Sequence, residues 1–265
     1  MSGNQSLERG LAVLDLLDKA NEPLGVRAIG RELDISPTIA QRLVNTLMQA
    51  GFIEQVRETR RYKLGYRAIT LGGALAGEDR LLVSAGQELQ HLADDFQLNG
   101  YLGALRDGRV VYLKAVQSSG PIVVRASVGS RANAHSTAMG KALLAQLDAS
   151  EIEAILGPAP YPQCTPATIT DRAPLLAELE SVRHSGFAIS REENIVGVIS
   201  LGAVIRDDTS TPVAALSVAF LASQCPEPER LPVIQRVLDA AHRCSQALGY
   251  RGAALMLSGA AGHAA

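Results

Sequence analysis

Four hydrogen-bonding side chains repeat at helical spacing in one short segment: Thr38, Gln41, Arg42 and Asn45. The intervals i, i+3, i+4 and i+7 place them along a single face of a helix. Arginine can make paired hydrogen bonds to a guanine edge and glutamine to an adenine edge, so this face has the chemistry to read DNA bases. An ordinary surface helix can carry the same stripe, and the interpretation therefore depends on the neighbouring elements.

The segment around the stripe has the boundaries of a short helix. Ser36 caps the helix start and Pro37 suits its first position, where an N–H would have no partner. Gly51 follows as a left-handed stop, and a second short helix, Val26 to Leu33, precedes it. The face opposite the polar stripe is apolar and is expected to lie against a core: Ala40, Leu43, Val44 and Leu47.

A basic hairpin follows directly, with strands predicted at Phe52 to Val56 and Tyr62 to Leu64. Between Gln41 and Arg67 the chain has six Lys or Arg against two Asp or Glu, although its net charge is −2. A solvated basic face would show the same imbalance. Two helices, a tight turn and a basic hairpin together instead predict a winged helix-turn-helix. Its cations would hold phosphates and so give affinity without sequence preference: Arg57, Arg60, Arg61 and Lys63.

The pattern along the whole chain predicts an α+β protein of two domains. We expect the winged helix-turn-helix at 5–67, a helical linker at 68–80, a GAF- or PAS-like α/β domain at 81–250 and a disordered tail at 251–265. The second domain has helices predicted at 81–96, 135–147, 172–184 and 231–248, packed on one face of a sheet. The strands are predicted at 100–105, 110–115, 122–126, 187–190, 196–205 and 213–221.

Composition limits the class of protein. The three cysteines are far apart and have no CxxC spacing, which favours a reducing compartment. The first ten residues have no apolar signal core, and the longest apolar stretch, Pro212 to Ala222, is shorter than the roughly 20 residues that span a bilayer. We therefore expect a cytoplasmic protein without a membrane partner.

Several short motifs imitate catalytic or cofactor sites. Gly140-Lys141 lacks the earlier glycine of a phosphate loop, and Ala142 stands where Ser or Thr would hold magnesium. The five histidines show no paired metal spacing. Glu192-Glu193 is interpreted as a solvated turn or a pocket-rim carboxylate rather than a pair of hydrolytic acids. We expect no catalytic residue, no metal and no cofactor.

Segments in both predicted domains resemble the IclR-type transcriptional regulators. In the first domain the similar segments are Ser6 to Leu17, Pro37 to Phe52 and Arg61 to Gly65. In the second they are His135 to Ala145, Gly186 to Asn194 and Val213 to Val218. The resemblance extends from about Leu7 to Leu248. Each segment alone is weak, but their order and spacing together are specific.

The resemblance implies a regulator that binds a palindromic DNA operator as a homodimer or homotetramer. It also implies a second domain that binds a small effector, an organic or aromatic acid, and control of catabolic genes. Repression and activation both stay open. Two rival classes also stay open: a small-molecule enzyme with an N-terminal interaction module, and a ligand-binding module whose winged helix contacts protein.

The resemblance further places the effector at six positions: Ala138, Met139, Ser190, Ser200, Ser217 and Ala219. Three of them depart from the best-known pattern, since Ser190 replaces an acidic residue, Ser200 a cysteine and Ala219 a second serine.

Some residues at and near these positions have side chains that suit a carboxylate ligand. The three serine hydroxyls are suited to hydrogen-bond it, a helix starting near Ser136 would offer free N–H groups, and Met139 and Leu201 would hold an apolar body. Serines satisfied within a packed domain are the alternative interpretation.

Overall fold

The computed structural model describes residues 4–20, 22–68, 70–71, 79–119, 126–223 and 230–255. The chain forms two compact units, Met1–Glu78 and Asp79–Ala265. Residues 66–68 and 70–71 are helical. Most of the predicted linker, four residues of the strand predicted at 122–126, and the predicted tail from residue 256 onward lie outside the described residues.

Besides the helical residues 66–68 and 70–71, the described part of the first unit contains three helices and a two-stranded antiparallel hairpin. The elements are α1 (Gln5–Lys19), α2 (Val26–Glu32), α3 (Pro37–Gln49), β1 (Ile53–Gln55) and β2 (Tyr62–Leu64). Every predicted element of this unit is present. Its core draws on all five elements: Val13, Leu17, Ile29, Ala40, Val44, Ile53 and Tyr62. Leu7 and Leu11, which repeat at helical spacing in α1, are instead more than half exposed.

The second unit is built around a six-stranded antiparallel sheet. Its strands are β3 (Asn99–Arg106), β4 (Arg109–Val116), β5 (Arg131–Asn133), β6 (Phe187–Arg191), β7 (Val198–Arg206) and β8 (Pro212–Leu221). Its α-helices are α4 (Arg80–Phe96), α5 (Ala138–Leu144), α6 (Ala149–Leu156), α7 (Arg172–Ser185) and α8 (Arg230–Ala247). The strand order is β5-β4-β3-β8-β7-β6. The α+β class is confirmed.

Helices cover both faces of this sheet, so the prediction that they pack on one face is wrong. On one face, α4 and α8 pack against alternate residues of β7 and β8, with Leu89, Leu201 and Leu216 fully buried. On the other, α5 and α7 form a second core that contains Leu144 and Leu179. Residues that alternate along one strand therefore serve two separate cores, as the twofold period of a strand requires.

Two local predictions are corrected around α5. The helix predicted from His135 to Leu147 is a 3-10 turn at Ala134–Ser136 followed by α5, because Thr137 is extended and caps the new helix through its side chain. Helix α6 was not predicted. Its start carries a capping box in which Asp148 and Glu151 satisfy each other's backbone N–H groups, a signal that the sequence did contain.

Candidate functional site

The polar stripe lies on the outer face of α3. Thr38, Arg42 and Asn45 are exposed and Gln41 is half-buried. The Gln41 side-chain amide donates to Asn45 Oδ1 at 2.9 Å, so two of the four groups are held in a fixed relation. On the opposite face Ala40 and Val44 are fully buried, while Leu43 and Leu47 are partly buried. The apolar stripe thus fixes α3 and leaves the hydrogen-bonding face available.

The start of α3 is stabilised as the sequence predicts. Ser36 Oγ accepts a hydrogen bond from Ile39 N at 3.3 Å, and Pro37 is the first helical residue. Asp34, in the turn before it, has a positive φ of 51°. This tight turn joins α2 to α3 in the manner of a helix-turn-helix.

The four predicted phosphate-binding cations are all exposed on or beside the hairpin, but they are not equivalent. Lys63 Nζ lies 2.8 Å from the Glu54 carboxylate on the facing strand. The hydrogen bond and charge of Glu54 raise the pKa of Lys63. Arg61 pairs with Glu22 at 3.2 Å. Within the described residues, the Arg57 and Arg60 side chains have no such partner, and they are the cations available to phosphates without breaking a contact.

In the second unit, all six predicted effector positions line one cavity of about 300 Å³. They come from α5 and from three adjacent strands, and the register of the sheet explains their convergence. Ser190 pairs with Ser200 across β6 and β7, Ser200 with Ala219 across β7 and β8, and Ser217 with Tyr101 across β8 and β3. Directly paired residues point to the same face of a sheet, so positions far apart in sequence meet there.

The hydroxyls of the three cavity serines differ in whether they already donate a hydrogen bond. Ser190 Oγ already donates to the Ser136 carbonyl at 2.7 Å and can only accept from a ligand. Ser200 Oγ and Ser217 Oγ make no hydrogen bond with any residue of the described ranges. Their hydroxyls can therefore donate to a bound carboxylate.

Of the suggested ligand contacts, the one with Leu201 is wrong. Leu201 is fully buried in the α4–α8 core, because it alternates with Ser200 and so faces away from the cavity. The helix start predicted near Ser136 lies two residues later, at Ala138, where Thr137 Oγ1 accepts from Gly140 N at 3.2 Å. The seven residues of α5 are buried, and Ala138 and Met139 at its start also line the cavity, so a ligand contact with the N–H groups of this start stays a prediction.

The start of α5 lies close against the sheet at a glycine of β7. A Cβ atom at Gly202 would lie 2.9 Å from the Ala138 carbonyl carbon and 3.1 Å from Met139 N. The absence of a side chain at this position therefore permits the approach that brings Ala138 and Met139 to the cavity.

Eight polar residues of the cavity were not predicted: Ser130, Thr137 and the six larger side chains of Tyr101, Arg109, Tyr112, Arg131, Asn133 and Asn194. The rings of Tyr101 and Tyr112 meet edge to face at 5.7 Å, and burial raises the pKa of both phenols. The strand β5, which carries two of the six, is only three residues long and has no periodicity that could reveal it.

A buried ion pair beside the cavity was also missed. Lys141 is fully buried, and its ammonium donates to Glu193 Oε1 at 2.6 Å, Glu178 Oε1 at 3.1 Å and the Ile189 carbonyl at 3.0 Å. The prediction that Glu193 lies in a solvated turn or on a pocket rim is wrong, since its side chain is 6% exposed. Burial raises the pKa of Glu193, against the opposing effect of Lys141.

This ion pair anchors the β6–β7 connection, which supplies Asn194 to the cavity. Thr165 and Thr168 hold the same connection through hydrogen bonds from their hydroxyls to the Glu193 carbonyl. Ser136 Oγ in turn donates to Asn194 Oδ1 at 3.3 Å. The wall of the cavity is therefore tied to α5 through buried polar contacts.

His135 is buried rather than on the surface. Its Nε2 lies 2.9 Å from the Pro162 carbonyl, which makes it the donor, and its ring lies 5.3 Å from that of Tyr161. Burial lowers the pKa of His135. Across the described part of the chain, no three His, Cys, Asp or Glu side chains form a possible metal site. In that same part, no helix has the length and apolar composition for crossing a bilayer.

Family models match both units. Residues 6–57 match the IclR helix-turn-helix domain, and residues 75–246 match the bacterial transcriptional regulator IclR C-terminal domain.

Relatives of known name are similar over nearly the whole chain. The HTH-type transcriptional regulator XynR of Escherichia coli K12 is 30% identical over 93% of this chain and 98% of its own length. The HTH-type transcriptional repressor AllR of the same strain is 31% identical over 94% of this chain and 92% of its own length.

Solved structures are also similar over nearly the whole chain. A transcriptional regulator from Rhodococcus sp. RHA1 has a TM-score of 0.81 at 28% identity, covering 93% of this chain and 98% of its own. The IclR of Thermotoga maritima has a TM-score of 0.76 at 26% identity, covering 92% and 99%. With both units matched and a helix-turn-helix that presents its polar face, the chain belongs to the IclR family of DNA-binding transcriptional regulators.

Proposed function

We propose that this regulator binds a palindromic operator as a homodimer or homotetramer and that a small organic or aromatic acid in the cavity changes its affinity for DNA. Control of catabolic genes is part of the proposal, as the family resemblance implies. One observation supports the effector part of the proposal: six positions scattered between residues 138 and 219 line the same cavity. That cavity lies at the lower end of the volumes typical of small-molecule sites.

The DNA half of the proposal rests on the exposed face of α3. We assign base contacts to Thr38, Gln41, Arg42 and Asn45, and phosphate contacts to the four cations of the hairpin. Arg42 is the strongest candidate for a paired contact with guanine, since its guanidinium is exposed and has no ion-pair partner among the described residues. Arg57 and Arg60 are the cations that would bind phosphate at the smallest cost.

The chemistry of the cavity favours an anion. Ser200 and Ser217 offer two hydroxyl donors, and no Asp or Glu of the described residues lines the wall. A carboxylate ligand would therefore meet donors without a repelling charge. Because Ser190 already donates to Ser136, it would serve as an acceptor, suited to a hydroxyl or to a protonated group on the ligand.

An effector can regulate only if its affinity differs between two arrangements of the protein. The sheet gives a physical route for such a difference. Tyr101 lines the cavity from β3, and Leu102, its neighbour on the opposite face, packs in the core that α4 shares. We propose that a ligand held against β3 changes the packing of α4, the helix that follows the linker.

Selection of duplex DNA by the full-length protein, followed by binding measurements at several salt concentrations, tests the DNA half. We expect an inverted repeat with half-sites about one helical turn (~34 Å) or a multiple apart. Each of Arg57→Ala and Arg60→Ala should reduce the slope of log affinity against log salt by about 1. Arg61→Ala and Lys63→Ala should reduce it less, because Glu22 and Glu54 hold these cations in the free protein.

The same protein–operator complex tests the effector half when organic and aromatic acids are added. We expect at least one acid to change operator affinity and to raise the apparent melting temperature of the free protein. A single selected half-site without a partner contradicts the proposed symmetry. A panel of acids that alters neither operator affinity nor melting temperature contradicts the effector assignment.

A further inference from the structure

The charged side chains described in the cavity wall are all cationic. Among the described residues that line it, the charged ones are Arg109 at the start of β4 and Arg131 at the start of β5. These two strands are paired, with Arg109 opposite Asn133 and Arg131 opposite Val111. The two guanidinium groups therefore belong to one edge of the sheet and give one end of the cavity a formal charge of +2.

Neither guanidinium is neutralised by a residue that the structure describes. In the described parts of the chain, neither Arg109 nor Arg131 makes a side-chain hydrogen bond or an ion pair. Other arginines of this unit do: Arg243 binds Glu88 through two nitrogens at 2.6 and 2.8 Å, and Arg172 pairs with Glu153 at 3.2 Å. Both arginines are exposed, and an anion bound at this edge of the sheet would be attracted by two cations that no carboxylate of the described residues offsets.

The free hydroxyls lie elsewhere in the same cavity. Ser217 and Ser200 belong to β8 and β7, and β3 separates β8 from β4 in the sheet. Neighbouring strands are about 4.8 Å apart, so the backbones of β4 and β8 are separated by roughly 10 Å across the sheet. Arg109 pairs with Arg106 and Ser217 with Tyr101, five residues away on β3, which adds roughly 16 Å along the strands. The long arginine side chains span part of this distance. The rings of Tyr101 and Tyr112 line the cavity between these two ends. The cavity thus has a cationic end, a wall of aromatic rings and a hydroxyl end.

We propose that the effector is a dicarboxylate with a short aliphatic or aromatic spacer, and that Arg109 and Arg131 determine this specificity by binding one of its carboxylates. The other carboxylate accepts hydrogen bonds from Ser200 and Ser217. This inference rests on the proposed function, since it names the class of acid that the cavity takes. The geometry favours two anionic ends because a guanidinium matches a carboxylate with two parallel hydrogen bonds. A monocarboxylate would leave one end of the cavity without its partner.

Matched pairs of acids test the proposal on the full-length protein. The pairs are succinate with butyrate, glutarate with valerate, adipate with hexanoate, and terephthalate with benzoate, each followed by thermal shift and calorimetric titration. We expect at least one dicarboxylate to bind about tenfold or more tightly than its matched monoacid, as expected for a hydrogen-bonded charge pair. Arg109→Gln and Arg131→Gln should each remove most of that advantage and leave the affinity for the monoacid nearly unchanged.

Arg172→Gln is the control, because it removes an equal charge from an exposed ion pair that does not line the cavity. It should leave the preference for the dicarboxylate intact. Equal affinity for both members of every pair overturns the inference while the proposed acid effector stands, and so does a dicarboxylate preference that survives both cavity substitutions. Failure of every acid to bind overturns the inference and the effector assignment together. The comparison of acids on the unmodified protein decides the matter even if a substituted protein fails to fold.

Discussion

The proposed DNA-reading face and the proposed effector cavity are built in opposite ways. The first is one side of a single helix, with four side chains inside eight residues and a core on the other side. The second gathers side chains from α5 and all six strands of the sheet, spread between Tyr101 and Ala219. A surface made by one helix can change without affecting the fold, whereas a cavity made by many elements depends on the contacts that hold those elements together. The two sites should therefore respond differently to substitution.

The largest expected effect is at the scaffold of the cavity. Lys141→Met should lower the free energy of unfolding of the second unit by about 3–5 kcal/mol, because it leaves Glu193 as a buried charge without its cation. Urea unfolding followed by circular dichroism measures this. The matched control is Arg172→Met, which breaks the exposed pair with Glu153 and should cost at most about 1 kcal/mol. Equal losses in the two variants would show that the buried pair does not hold the cavity.

The contrasting prediction concerns the reading face. Arg42→Ala should weaken operator binding by about 1–3 kcal/mol and relax specificity at one base pair, while the free energy of unfolding changes by less than about 0.5 kcal/mol. Fluorescence anisotropy on the selected operator measures the affinity. Lys19→Ala, which removes a charge from an exposed position at the end of α1, should have a smaller effect and leave specificity unchanged. Operator binding that is unaffected by Arg42→Ala would contradict the assignment of α3.

Two cavity serines allow ligand binding and stability to be compared within one site. Ser217→Ala should reduce the affinity for an acid effector by about 1 kcal/mol, with little change in stability, because its hydroxyl has no partner among the described residues. Ser190→Ala should in addition destabilise the unit by about 1 kcal/mol, since it removes the donor to the Ser136 carbonyl. Calorimetric titration and urea unfolding separate the two effects. The same result for both serines would refute the distinction.

The smallest expected effect depends on pH. Burial lowers the pKa of His135 below its usual 6.5, so the folded protein binds the proton less well than the unfolded chain. Its contribution to stability is therefore complete above about pH 6.5 and is lost as pH falls through the lowered pKa. His135→Gln should flatten this part of the profile of unfolding free energy against pH between 5 and 7.5. A profile of the same slope in both proteins would assign the effect to other groups.

Local signals account for what the sequence could predict. The cap at Ser36, the stripe of α3 and the paired positive φ values of Asp107 and Gly108 in the β3–β4 hairpin are consequences of a few adjacent residues. The six effector positions came from a family resemblance rather than from periodicity. The structure brings them together, and their role in binding stays a prediction.

The remaining features depend on contacts distant in sequence. Lys141 and Glu193 are 52 residues apart, and no local pattern distinguishes their buried pair from two surface charges. Arg131 could not be predicted for the same reason, because it joins Arg109 in the cavity wall through the pairing of the very short strand β5 with β4. Helices on both faces were not predicted, although β7 and β8 carry mainly apolar residues on both sides, a pattern typical of a sheet that is covered on both faces.

The alternation along β7 has a consequence for how such a sensor can be changed. Ser200 faces the cavity, while Ile199 and Leu201 on either side of it belong to the opposite core. Different side chains of one strand therefore contact the ligand site and stabilise the fold. Mutational libraries confined to cavity-facing positions can therefore change which ligand the cavity accepts and leave the hydrophobic layer beneath α4 and α8 intact.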